Sequence, residues 1–140
     1  MTPPVDADVY MRKAERTLAT ARLLLDNGDT EGACNRAYYA MFHAAHAALR
    51  AVRADPVDAV YKSHHGLIAA FGKHVVLGAQ MDPALGRAFN QVQQSRTLAD
   101  YVGDPLSLED ATWALAQAEA FVAALRATFT RNPSAGDERR

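Results

Sequence analysis

One arginine stands where the surrounding sequence predicts an apolar side chain. In the stretch "QVQQSRTLADYV", residues 91–102, steps of three and four carry one helical face through Arg96. The apolar members of that face are Leu85, Phe89, Val92, Ala99 and Val102. Removing a charge from water costs several kcal/mol unless the charge is partnered, so Arg96 needs either an ion pair or a function.

Two interpretations of Arg96 follow from its neighbours. Asp100 lies one turn onward and could form an ion pair that fixes the packing register, although arginine before aspartate is the weaker orientation for a helical pair. Alternatively, Arg96 carries a function, and Asp100 and the phenol of Tyr101 would then act beside it. The spacing alone leaves both interpretations open.

Basic and imidazole side chains form a line on one face of the predicted second helix. Its members are Arg36, His43, His46, Arg50 and Arg53, with Tyr39 beside them. Such a line could follow a phosphate backbone while the tyrosine stacks on a base. It could equally be an ordinary solvated face, since charged residues on the outer side of a helix are what solubility requires.

The histidines do not form a pattern typical of a metal site. His43 and His46 share a helical face, but metal sites in bundles need several converging carboxylates and histidines, such as paired Glu-x-x-His motifs. The adjacent His64 and His65 point in different directions if they are helical. No glycine-rich phosphate loop, nucleophile elbow or Cys-x-x-Cys occurs. The sequence therefore predicts neither a metal site nor a cofactor.

The elements that must position these residues are all predicted to be helices. Alanine and leucine dominate, and no convincing run of alternating β-branched residues occurs. Capping and turn residues divide the chain, and a further helical turn could begin at Pro56. The predicted helices run from Asp6 or Asp8 to Asn27, from Asp29 or Thr30 to Arg53, from Ser63 to Val76, from Asp82 to Gly103 and from Ser107 to Phe129.

Long amphipathic helices with short connections predict an all-α fold, an antiparallel four- to five-helix up-and-down bundle. Residues 6–130 would form this single domain, followed by a disordered C-terminal tail at 131–140. The middle of helix two, "AYYAMF", is apolar on every side, which predicts burial against several neighbours or a partner chain. Trp113 and Phe121 could line a small-molecule pocket, although such residues more often belong to the core.

The composition is typical of a soluble globular protein. Of its 140 residues, 49% are hydrophobic and 22% are charged. The net charge of -1 gives no general attraction to nucleic acid, so any such contact must come from a local patch. No apolar run approaches the roughly 20 residues of a membrane span, and the start lacks the order of a signal peptide. We therefore expect a cytoplasmic protein with no membrane partner, and a single cysteine, Cys34, in the core.

Three segments resemble the HEPN family of helical proteins. "NRAYYAMFHAAHAAL" at 35–49 is similar to the family's second helix, and "KSHHGLIAAFGKHVV" at 62–76 to its third. "RTLADY" at 96–101 resembles the fourth-helix motif of one small bacterial and archaeal branch. The resemblance implies a helical bundle that commonly dimerises and is often encoded beside a minimal nucleotidyltransferase. In such pairs the HEPN protein is typically the toxin, and the nucleotidyltransferase is an antitoxin that can add AMP to a tyrosine.

The resemblance also implies a site. Many HEPN proteins are metal-independent ribonucleases whose arginine, polar neighbour and later histidine meet a second copy across the dimer. Arg96 matches the arginine and Thr97 the polar residue, but positions 101–103, where the histidine should stand, read "YVG". Tyrosine, with an ordinary pKa of about 10, is a poor general base at neutral pH. Either Asp100 substitutes as the base or the protein binds without cutting, and Tyr101 becomes the candidate AMP acceptor.

The resemblance thus favours a homodimer through helices two and four that holds RNA or a nucleotide near Arg96, Asp100 and Tyr101. The other binding residues would be Thr97, Arg36, Tyr39, His43, His46 and Arg50. The alternative is a non-catalytic adaptor whose apolar helix-two surface docks a partner protein. Cleavage of RNA that depends on Arg96 would separate the two functions.

Overall fold

A computed structural model describes the backbone of residues 5–52, 63–102 and 106–130, and the side chains of 7–52, 63–97 and 106–130. The predicted tail at 131–140, the turn at Pro56, Arg53 and the side chains of Asp100 and Tyr101 lie outside these ranges.

Five helices make up the described chain, which confirms the all-α prediction. They are α1 (Val5–Asp26), α2 (Thr30–Ala51), α3 (His64–Ala70), α4 (Pro83–Val102) and α5 (Leu108–Phe129). The predicted third helix changes character halfway, because α3 passes directly into a π-helical segment at Phe71–Leu77, here called the π segment. In the described ranges there is no β-strand.

Short polar side chains accept backbone hydrogen bonds at the start of four helices, at Asp29, Ser63, Asp82 and Ser107, and the sequence predicts three of these caps. The Asp29 carboxylate accepts a hydrogen bond from the backbone N–H of Gly32, so Asp29 rather than Thr30 is the cap of α2. Ser107 accepts likewise from the N–H of Asp110. Gly28 adopts a φ of +83°, a left-handed conformation that glycine accommodates without strain, and this ends α1 where the sequence predicts.

The helices α2 and α5 lie at the centre of the bundle. α1 packs against these two, and on the other side α3, the π segment and α4 pack against α2. Within the described residues, α1 touches neither α3, the π segment nor α4. α2 can contact so many neighbours because its inner faces carry small side chains. The alanines buried on it are Ala33, Ala37, Ala40, Ala44, Ala45, Ala47 and Ala48. The predicted burial of "AYYAMF" is confirmed for Ala37, Tyr38, Ala40 and Met41, whereas Tyr39 and Phe42 are only half-buried. Cys34 is buried as predicted.

Aromatic side chains fill the core between α2, the π segment, α4 and α5. The rings of Phe71, Phe89 and Phe121 lie 5.2 to 5.7 Å apart between centroids, and Tyr38 stacks on Phe89 at 5.8 Å. Phe121 is therefore a core residue, because its ring contacts the rings of Phe71 and Phe89. Trp113 is not, because 39% of it is exposed. The expectation that both belong to the core holds for Phe121 and is wrong for Trp113.

Two glycines near the π segment should respond oppositely to alanine. A Cβ added at Gly72 meets no atom within 4 Å, whereas one added at Gly78 would lie 2.5 Å from the backbone carbonyl oxygen of His74. We expect Gly72→Ala to raise the free energy of unfolding by about 0.4–1 kcal/mol, because alanine restricts the unfolded chain. Gly78→Ala should lower it by more than about 1 kcal/mol, since backbone must move. Urea denaturation of both variants measures the difference, and an equal effect would contradict this account.

Candidate RNA-binding site

Arg96 lies against the aromatic side chains of α2 rather than in the apolar core. Its guanidinium carbon is 4.8 Å from the ring centroid of Tyr38 and 5.7 Å from that of Tyr39. Its Nε donates a hydrogen bond to Oε1 of Gln93, at 3.1 Å. A planar guanidinium that lies over an aromatic ring keeps its charge while it covers apolar surface. This explains how an arginine can occupy the apolar face of α4.

A histidine from α3 completes this cluster. The hydroxyl of Tyr38 and Nδ1 of His64 lie 2.6 Å apart and share a hydrogen bond. The His64 ring lies 5.3 Å from that of Tyr38 and 5.8 Å from that of Tyr39. We call Tyr38, Tyr39, His64 and Arg96 the Arg96 cluster. Three helices meet there, with α2 supplying the tyrosines, α3 the histidine and α4 the arginine.

Burial and the charge of Arg96 shift the pKa values of Tyr38 and His64. Burial raises the pKa of Tyr38 far above its ordinary value, against the smaller effect of the positive charge of Arg96. Burial also lowers the pKa of His64, and the charge of Arg96 lowers it further. At neutral pH the cluster therefore contains a neutral phenol, a neutral imidazole and one cation.

His64 belongs to the Arg96 cluster, and the sequence does not predict this. In "KSHHG", two adjacent histidines give no sign of which one faces α2. Ser63 accepts a hydrogen bond from the N–H of Gly66, and α3 begins at His64. His64 contacts Tyr38, whereas His65 is exposed.

Tyr39 joins the predicted helix-two residues to Arg96. The guanidinium carbon of Arg36 lies 4.9 Å from the Tyr39 ring centroid, so two arginines approach the same half-buried ring. Arg36 also donates to the side-chain oxygen of Asn35. Thr97, the polar neighbour of Arg96, is exposed. The structure thus brings together Arg96, Tyr39 and Arg36 among the predicted binding residues.

The predicted line on α2 is not a row of cations, nor is it a solvated face throughout. His46 is only 5% exposed and stacks on Tyr10 of α1, with ring centroids 4.7 Å apart. The guanidinium carbon of Arg50 lies 5.3 Å from the same Tyr10 ring. Burial lowers the pKa of His46, and it lowers that of His43 to about 4 with help from Lys13, His46 and Arg36. Both histidines are therefore neutral at neutral pH.

The ring of Phe42 connects the Arg96 cluster to His46 on α2. Phe42 lies 5.5 Å from the His64 ring and 5.6 Å from the His46 ring, between centroids. These aromatic and imidazole rings form one continuous row of contacts along α2, in which Tyr39 and Phe42 are half-buried and His46 is covered by Tyr10. Arg36 and Arg96 lie at one end of the row and Arg50 at the other. We call this row the α2 surface.

The lowered pKa values of His43 and His46 predict that acid destabilises the fold. In the unfolded chain His43 has its ordinary pKa of 6.5, but in the folded chain its pKa is about 4. Between these values the unfolded state binds more protons, so stability falls as the pH falls through this window. The slope from His43 reaches about 1.4 kcal/mol per pH unit.

Urea denaturation at several pH values within this window measures the effect. His43→Gln should flatten the dependence, whereas the same change at the exposed His65 should leave it intact. An unchanged slope in His43→Gln would show that other groups cause the acid sensitivity.

The sequence is similar to a known domain family and to several proteins of bacteria and archaea. Residues 7–128 match the sequence model of the HEPN domain. A UPF0332 protein of Gloeobacter violaceus is 33% identical over 124 residues, which cover 87% of this chain and 93% of that protein. A protein of Methanocaldococcus jannaschii named "Putative toxin" is 35% identical over 109 residues, 78% of each chain. A UPF0332 protein of Thermotoga maritima is 31% identical over 103 residues, 74% of each.

The described residues contain neither a membrane-spanning helix nor a cluster of metal ligands. None of the helices in the described ranges combines the length and apolarity that crossing a bilayer requires. Among the described side chains, no three histidine, cysteine, aspartate or glutamate residues lie close enough together to hold a metal ion.

Proposed function

Because the chain belongs to the HEPN domain family, we propose that it is a toxin-like protein that binds RNA through the Arg96 cluster. The observation that carries this proposal is the position of the Arg96 guanidinium beside Tyr38 and Tyr39 on a partly exposed surface. The name of the Methanocaldococcus jannaschii relative supports the toxin-like part. We expect the protein to act in the cytoplasm, where its RNA target would be found.

The chemistry of the Arg96 cluster suits single-stranded RNA. An arginine binds phosphate oxygens, and a tyrosine ring provides a face on which a base can stack. Tyr39 is the half-buried ring of the pair, whereas Tyr38 is fully buried and serves as support. Arg36 adds a second positive charge beside the same ring. RNA bound here would place a phosphate at Arg96 and a base on Tyr39.

Cleavage is the further step of this proposal. The oxygen of a ribose 2′-hydroxyl would attack the adjacent phosphorus, form a 2′,3′-cyclic phosphate and release the 5′-oxygen of the next nucleotide. Arg96 would stabilise the negative charge that develops on the phosphate. Asp100, one turn after Arg96 on α4, is the residue proposed to accept the hydroxyl proton in place of the missing motif histidine. The leaving 5′-oxygen would take a proton from water.

The proposed partners are a second copy of the chain and a minimal nucleotidyltransferase antitoxin. A homodimer through α2 and α4 would bring two Arg96 clusters together across the α2 surface. The half-buried Tyr39 and Phe42 on that surface support such an interface, because aromatic residues are enriched at protein interfaces. The antitoxin would inactivate the toxin by adding AMP to Tyr101, which follows Asp100 on α4.

An assay on purified protein tests the proposed function. The protein is incubated with mixed cellular RNA in the presence of EDTA, and binding and cleavage are measured separately. Binding with cleavage supports the ribonuclease, and binding alone supports a toxin-like protein that blocks RNA without cutting. Neither binding nor cleavage would contradict the proposal and favour an adaptor that docks a partner protein on the α2 surface.

The proposed modification has its own test. We expect co-expression with a minimal nucleotidyltransferase to add one AMP to Tyr101, because this tyrosine stands in the sequence where the family motif carries its histidine. Mass spectrometry of the intact chain and its peptides locates the group. Tyr101→Phe should abolish the modification, and AMP on another tyrosine would show that Tyr101 is not the acceptor.

A further inference from the structure

The Arg96 cluster contains a hydrogen-bond donor that the proposed site does not yet use. We propose that Nε2–H of His64 donates to a phosphate oxygen of the bound RNA, next to the guanidinium of Arg96. This inference rests on the proposed function, because it assigns a further binding residue to the same site. His64 would bind the phosphodiester and take no proton from the ribose.

The first step of the argument is the position of the Tyr38 proton. Tyr38 is fully buried, and in the described part of the chain Nδ1 of His64 is the hydrogen-bond partner of its hydroxyl. A buried hydroxyl hydrogen without an acceptor destabilises a fold. The hydroxyl therefore donates to Nδ1, and burial of the phenol ensures that it keeps the proton to donate.

The second step is the tautomer of His64. A neutral imidazole carries one hydrogen, and Nδ1 is occupied as an acceptor, so the hydrogen must be on Nε2. The lowered pKa of His64 keeps the ring neutral at neutral pH. Tyr38 thus locks His64 as an Nε2–H donor. In this state the imidazole cannot act as a general base at Nε2, so it does not replace the histidine missing from α4.

The third step is the position of this donor relative to Arg96. Both groups contact the same two rings, Arg96 at 4.8 and 5.7 Å and His64 at 5.3 and 5.8 Å from the centroids of Tyr38 and Tyr39. His64 is only partly buried, and among the described residues its Nε2 has no hydrogen-bond partner. A cation and a neutral donor on the same support suit the single negative charge of a phosphodiester.

The proposed function supplies the ligand that matches this pair. A phosphate bound by Arg96 and His64 would lie beside Tyr39, and the adjacent base would stack on the exposed part of that ring, with the buried Tyr38 as support. Arg36, which also contacts Tyr39, would then lie near the next phosphate. The ligand is therefore the phosphodiester backbone of single-stranded RNA, bound with at least one base stacked.

Binding of a fluorescein-labelled oligouridylate, measured by fluorescence anisotropy, tests the inference. We expect His64→Leu to weaken binding about tenfold, the effect of losing one charge-assisted hydrogen bond. His64→Gln should retain most of the affinity, since its amide can present an N–H to the phosphate. His65→Leu on the same helix is the matched control and should bind as the wild type does.

Nuclear magnetic resonance of the 15N-labelled histidine rings provides a second measurement that does not depend on any variant. The free protein should show His64 as the Nε2–H tautomer, and the Nε2 resonance should shift when the oligouridylate is added. A His64 ring with its hydrogen on Nδ1, or an Nε2 resonance that ignores saturating oligouridylate, would overturn the inference.

The outcomes also separate this inference from the proposed function. If the wild type binds RNA through Arg96 while His64→Leu binds equally well, only the role of His64 is wrong. If the wild type binds no RNA, the proposed function fails, and the inference fails with it. Thermal unfolding of each variant confirms that the compared proteins are folded.

Discussion

Arg96→Ala is expected to abolish toxicity and to weaken RNA binding at least about tenfold while the bundle remains folded. The guanidinium lies on the surface of two tyrosine rings, and its Nε bonds to Gln93 on the same helix. Its removal leaves Tyr38 in the core, because the ring is also held by Phe89 and by His64. The packing of Tyr38 in the core therefore survives, whereas the proposed phosphate site loses its charge.

The measurements are growth of cells that express the variant, RNA affinity at several salt concentrations, and thermal unfolding. The affinity should fall at least about tenfold, and the dependence of log K on log salt should become shallower by about 0.7, as for one lost phosphate contact. Arg87→Ala removes an exposed arginine from the same helix and should leave the affinity nearly unchanged. Arg96→Lys keeps the charge but loses the planar contact with the rings.

A large loss of stability in Arg96→Ala would contradict this account. It would favour the alternative interpretation from the sequence, in which Arg96 chiefly fixes the packing register through an ion pair. Equal affinity of Arg96→Ala and the wild type for RNA would contradict the proposed site directly.

Phe89→Ala is expected to have the largest effect on stability. Phe89 is fully buried and contacts Phe71, Phe121 and Tyr38. Truncation of a buried phenylalanine costs about 3–5 kcal/mol through lost burial and the cavity that remains. A domain has about 5–15 kcal/mol in total, so a large share of the stability would be lost.

Urea denaturation of Phe89→Ala, compared with Leu77→Ala, measures this effect. Leu77 is 75% exposed at the end of the π segment, and its truncation should change the free energy of unfolding by less than about 0.5 kcal/mol. Because Tyr38 stacks on Phe89, the variant should also bind RNA more weakly under conditions in which it is still folded. Similar values for the two variants would show that the aromatic core contributes less than its burial indicates.

The sequence predicts those features of the fold that depend on neighbouring residues. The helices follow from apolar spacing, and their starts at Asp29 and Ser107 follow from local hydrogen bonds that a short polar side chain makes three residues onward. The π segment could not be predicted, because the spacing of apolar residues does not distinguish its i→i+5 hydrogen bonds from those of an α-helix.

The Arg96 cluster was predictable only where a single residue stands out in the sequence. Arg96 is conspicuous because a charge interrupts an apolar face. His64 is not, since its role depends on a contact with Tyr38, 26 residues earlier in the chain. The neutral state of His43 and His46 was equally hidden, because it depends on burial and, for His46, on Tyr10 of α1 covering it. Helical spacing places these imidazoles on one line but does not indicate what covers them.

Because α1 packs apart from α3 and α4, the two ends of the α2 surface are expected to open separately. α1 is attached to α2 and α5, with ion pairs from Arg22 to Glu119 and from Glu15 to Arg126, and within the described chain it has no contact with the α3 and α4 side. The surface therefore spans two units that can open locally with different free energies. Detachment of α1 would uncover His46 and leave the Arg96 cluster intact. Hydrogen exchange would then report two protection levels along one continuous surface.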